Sequence, residues 1–109
     1  MFSYKVDNRE GNAKVQLNGD LDIDVSEIIE ELIPRLLSFE NLEFNFSGVP
    51  FVDSTGIGLL INLVETLKKN REDVQIQIKH VQPLVNEVFE MLQLQEILGD
   101  RVQLLSQLG

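Results

Sequence analysis

The sequence predicts a single α/β domain of 109 residues built on a mixed β-sheet. Three patterns carry that prediction. Two short alternating segments flank a turn cluster near the N-terminus, which makes an antiparallel hairpin. Beyond them, segments of helical period alternate with segments of period two, which makes βα crossovers and parallel pairing. Glycines and prolines stand singly between these segments, with no repeat, linker or low-complexity tract.

Phe2 to Asp7 alternates Phe, Tyr and Val with polar residues and reads as a half-buried strand. Asn8 to Asn12 is a turn cluster, and Ala13, Val15 and Leu17 then form the hairpin partner. Val25 to Ser38 is expected to be helical, because Val25, Ile28, Ile29, Leu32, Ile33 and Leu36 keep the three-and-four spacing. Asp24 is the candidate N-cap, with Glu27 placed as in a capping box. Pro34 is expected to bend or tighten the last turn. Leu42 to Phe46 is a strand, and Gly48-Val49-Pro50 a turn. Phe51-Val52 leads into Asp53-Ser54-Thr55-Gly56 and a second helix that runs to about Lys69. Val74 to Lys79 alternates as a strand. Pro83 opens a third helix to about Leu92. Arg101 to Leu105 is a last strand.

Composition narrows the function. Hydrophobic residues make up 43% and charged residues 25%, ordinary for a globular chain. With no cysteine and a single histidine, thiolate or histidine metal clusters and cysteine nucleophiles are excluded. The net charge of −9 is the reverse of a nucleic-acid footprint and is repelled by anionic membranes. No targeting segment or membrane-spanning run is visible, so a cytoplasmic location without membrane insertion is expected.

Enzyme motifs fail one by one. Gly56-Ile57-Gly58 lacks the third glycine of a dinucleotide fingerprint, and no lysine follows it as in a phosphate loop. Ser54 has no glycine two places before it, and His80 is the only imidazole it could use. Asp20, Asp22, Asp24, Glu27, Glu30 and Glu31 crowd one stretch without a lysine or arginine. A calcium loop is not completed there, because Val25 and Ser26 stand where its glycine turn belongs. These acids read either as a solvated helix face that suits the dipole or as a docking surface for a basic partner.

Asp53 or Ser54 starts the second helix, whose free N–H groups attract anions. At 100° per residue, Ile57, Leu60, Ile61, Val64 and Leu67 point into a core. Ser54, Gly58, Asn62, Glu65 and Lys69 point to solvent, and Leu59 falls at the boundary beside Thr55. A mid-helix glycine costs about 1 kcal/mol against alanine. Gly56 and Gly58 therefore serve either close approach of another molecule to Ser54 or tight helix–sheet packing.

Asp53-Ser54-Thr55-Gly56-Ile57-Gly58, together with Leu17-Asn18-Gly19-Asp20-Leu21-Asp22, resembles the paired signatures of STAS domains. The likeness is greatest to stand-alone bacterial anti-sigma factor antagonists and covers nearly the whole chain, which is expected to be one such domain over residues 1–109. Two family features are replaced: a glycine pair by Asn70-Arg71-Glu72-Asp73, and Thr-Gly-Leu by Leu92-Gln93-Leu94. The resemblance implies a STAS-like fold and partner switching, with no catalysis and no cofactor of its own. It implies binding to a serine-kinase anti-sigma factor, phosphorylation at Ser54 that ends binding, and a phosphatase that restores it. Thr55 is the lesser phosphorylation candidate, and Asp22 should lie close to Ser54. Partner contacts are then expected at Asp20, Asp22, Asp24, Asp53, Gly56, Gly58, Leu59 and Asn62. The same resemblance admits a scaffold or accessory subunit of a stress-sensing complex or lipid transporter.

Overall fold

The computed structural model of the chain describes residues 2–106. Strands β1 (Ser3–Arg9) and β2 (Asn12–Asn18) pair antiparallel, from Ser3 against Asn18 to Arg9 against Asn12. That register leaves only Glu10 and Gly11 in the turn, both at positive φ (46° and 86°). Two such residues make the primed turn whose twist suits a hairpin, and glycine takes the second place without strain.

Helix α1 (Ser26–Leu36) leads to β3 (Asn41–Gly48), α2 (Ser54–Asn70) to β4 (Gln75–Val81), and α3 (Pro83–Met91) and α4 (Leu94–Leu98) to β5 (Val102–Ser106). The strands lie in the order 1-2-3-4-5, and β2 to β5 are parallel. Each crossover steps the same way across the sheet. Right-handed crossovers then place every helix on one face. Burial agrees with this. Ala13, Val15, Leu17, Leu42, Phe44, Phe46, Ile76, Ile78 and Val102 are buried beneath the helices. The opposite face is polar, with Glu43 and Lys79 paired across it at 3.0 Å. Phe46 and Phe89 meet edge to face, 6.0 Å between centroids, joining sheet to α3. Among the described residues no polar side chain is fully buried, and no helix is long and apolar enough to cross a membrane.

The element order matches the sequence expectation, with corrections at the ends. A 3-10 turn, Ile23–Val25, precedes α1, and Asp22 rather than Asp24 caps it. The Asp22 carboxylate accepts the Asp24 N–H at 3.0 Å, while α1 itself has no side-chain cap, so no capping box forms from Asp24 and Glu27. The helix ends at Leu36, two residues after Pro34. Helix α4 was not expected. Its five residues are set off by Gln93 at φ 52°, which turns the chain so that Leu94 and Leu98 reach the core.

Candidate functional site

The site is built where β2 and β3 leave the sheet at their carboxyl ends. Gly19 N–H donates to Gly48 O (2.8 Å) and Leu21 N–H to Phe51 O (2.9 Å). Asp53 N–H donates back to Leu21 O at 3.3 Å, and Leu21 bridges Val52 in parallel. These bonds hold the acidic turn after β2 against the entry to α2.

Asp53 is extended and caps α2, its carboxylate accepting the Gly56 N–H at 2.7 Å. Such a cap contributes about 1 kcal/mol and fixes where the helix begins. Ser54 is the first helical residue and is exposed, as is Thr55. Gly58 and Asn62 continue the exposed face, and Leu59 is half-buried at its boundary. The helical-wheel assignment of Ser54, Gly58 and Asn62 to solvent thus agrees with the structure. Leu63, which the wheel left off the core face, is also buried.

Gly56 is the exception among the expected contact residues. It is buried, and a Cβ there would overlap the Leu21 carbonyl and stand 3.1 Å from the Asp22 nitrogen. Its hydrogen faces the turn after β2, so close packing on the Leu21 carbonyl accounts for the glycine here. That same closeness brings the Asp22 backbone against the first turn of α2 at Gly56. At Gly58 a Cβ would meet nothing within 4 Å. Gly58→Ala is therefore expected to stabilise the fold by up to about 1 kcal/mol. It is also expected to weaken partner binding, because the added methyl stands one turn from Ser54. Thermal unfolding and a binding titration check the two effects; unchanged affinity would remove Gly58 from the interface.

Beside the acidic turn lies a half-open hollow of about 540 Å³, lined by Phe2, Val25 and Ile28 together with Asp20, Asp22, Asp24 and Glu27. An apolar floor under a carboxylate rim suits the stem and head of a lysine or arginine. Sequence reasoning missed two apolar residues beside this site, Ile23 and Phe51, both exposed. Ile23 falls outside the helical pattern that begins at Val25, and that was its one signal.

Comparison with known proteins bears on the family and the fold. A family model described as the STAS domain matches residues 3–106. An anti-sigma-B factor antagonist of Staphylococcus aureus is 30% identical over 87 residues, covering 78% of this chain and 79% of that protein. An anti-sigma factor antagonist from Mycobacterium paratuberculosis has a solved structure similar to this one, with a TM-score of 0.76 at 18% identity, covering 94% of this chain and 86% of that chain. The phosphorylated form of the Bacillus cell fate determinant SpoIIAA gives a TM-score of 0.65 at 20% identity, covering 94% and 90%. Signature, topology and matched length agree, and the chain belongs to the STAS domain family, among relatives that include anti-sigma factor antagonists.

Proposed function

We propose that this chain is an anti-sigma factor antagonist that acts in the cytoplasm as a phosphorylation-controlled partner switch. Unphosphorylated, it binds a serine-kinase anti-sigma factor. The kinase then transfers the γ-phosphoryl group of ATP to the Ser54 oxygen, and ADP leaves. The modified chain dissociates, and a phosphatase hydrolyses the Ser54 phosphate to restore it. The chemistry belongs to the partners; this chain supplies a hydroxyl and a surface. The observation that carries the reading is the position of Ser54: exposed and first in α2, the helix whose entry segment is hydrogen-bonded to the acidic turn through Leu21. The names of its relatives support the antagonist role.

The deciding experiment mixes the purified chain with the serine-kinase anti-sigma factor of the same organism. A complex is expected without ATP, and phosphate on Ser54 by tandem mass spectrometry with it. No complex, or phosphate only on Thr55, overturns the proposal.

The acidic turn gives a further expectation. Asp20 and Asp24 are exposed, and no base lies between residues 20 and 31 to neutralise them. Their attraction for a basic partner should weaken as the Debye length falls from about 10 Å at 0.1 M salt to about 3 Å at 1 M. Affinity is expected to fall along that series, and the slope to flatten in Asp20→Asn and Asp24→Asn. A salt-independent affinity for the wild type would exclude the acids from docking.

A further inference from the structure

Strands β2, β3 and β4 are parallel, so each leaves the sheet at the same end. Each exit carries one large apolar side chain that folding leaves in water: Ile23 (64% exposed), Phe51 (46%) and Leu84 (59%). The exits are stitched together. Leu21 N–H on Phe51 O joins the first to the second, and Gln82 Nε2, donating to Ser47 O at 2.8 Å, joins the second to the third. The residues are thus gathered at one end of the sheet, the end at which α2 begins with Ser54. We propose that Ile23, Phe51 and Leu84 form one apolar contact surface for a partner whose own apolar patch is rimmed by lysine or arginine.

Charge selects that occupant. Segments 18–25, 47–54 and 82–87 hold Asp20, Asp22, Asp24, Asp53 and Glu87, with no lysine or arginine. A second copy would set the same carboxylates against each other, while a basic rim meets them with opposite sign. The backbone beside Ile23 and Phe51 is already pinned by the Leu21 bonds, so little ordering is lost when a partner covers them. Phe51 precedes Ser54 by three residues, so a phosphate there would lie at the margin of the surface. The inference rests on the Ser54 reading and adds the apolar part of the interface to it.

The test titrates the serine-kinase anti-sigma factor of the same organism with Ile23→Ser, Phe51→Ser, Leu84→Ser and the triple variant. Circular dichroism serves as the folding control, since all three side chains are exposed. Phe51→Ser is expected to lower affinity at least about tenfold and the triple variant further, as for a central interface anchor. The losses should persist at about 0.5 M salt, where the acidic rim is screened. If Ser54→Asp weakens binding and the serine variants do not, this surface is wrong and the Ser54 reading stands. If the serine variants weaken binding and Ser54→Asp does not, the surface stands and the switch fails. Sedimentation provides a third check. A wild-type dimer that the triple variant dissolves would make a second copy the occupant and overturn the proposal, and absence of any wild-type complex with the kinase would overturn both readings.

Discussion

Gly56→Ala is expected to destabilise the chain by about 3 kcal/mol or more. Overpacking ordinarily costs about 1–3 kcal/mol, because flexible side chains move aside. Here the obstacle is backbone. The added methyl would stand 2.5 Å from the Leu21 carbonyl carbon, overlapping its oxygen. Leu21 cannot retreat without breaking its bonds to Phe51 and Asp53 and its bridge to Val52. Moving α2 instead would disturb the Asp53 cap, worth about 1 kcal/mol more. A domain with roughly 5–15 kcal/mol of total stability would then be measurably unfolded in modest denaturant. Urea denaturation of Gly56→Ala beside Gly58→Ala is the check, and the two changes should have opposite signs. A Gly56→Ala protein within 1 kcal/mol of wild type would show that the turn after β2 yields easily.

That contrast marks the limit of what the residues alone disclose. Gly56 and Gly58 are chemically identical and two places apart, and local sequence left packing and partner approach open for both. Only the path of the β2 turn, brought in by pairing across 31 residues from Leu21 to Val52, separates them. The strands and the long helices were legible because periods of two and 3.6 repeat often enough to be read. Helix α4 was not: Leu94 and Leu98 give one spacing of four, which fixes no period. The cap was misplaced for a related reason. Asp22 and Asp24 are both acceptable caps, and the 3-10 turn between β2 and α1 decides in favour of Asp22. Ser54, by contrast, was legible twice over, as a helix start and as part of a resemblance. Phe51 carries no such mark, and Ile23 only its place outside the helical pattern, since an apolar residue says little about exposure until the chain around it is placed.

Ser54→Asp is expected to lower affinity for the proposed kinase partner by at least about 1.4 kcal/mol, a tenfold loss. The fold should tolerate the change. Ser54 is exposed in the first turn of α2, where the helix dipole favours negative charge and the cap is already supplied by Asp53. A phosphate would bring about −1.5 to −2 charges to the same place, with the same compatibility. The interface is less forgiving. The new charge would share the site with Asp53 and the Asp20–Asp24 turn, held close by the Leu21 bonds. A partner that packs there would have to desolvate it without a compensating cation already in place. The penalty thus falls on binding and leaves folding intact, which is what a switch requires. Ser54→Ala removes the hydroxyl and adds no charge, so it should fold, bind and resist phosphorylation. Titrating wild type, Ser54→Ala and Ser54→Asp against the kinase, with circular dichroism in parallel, separates these effects. Equal affinities for all three would show that charge at the start of α2 is invisible to the partner, and Ser54 would lose its role.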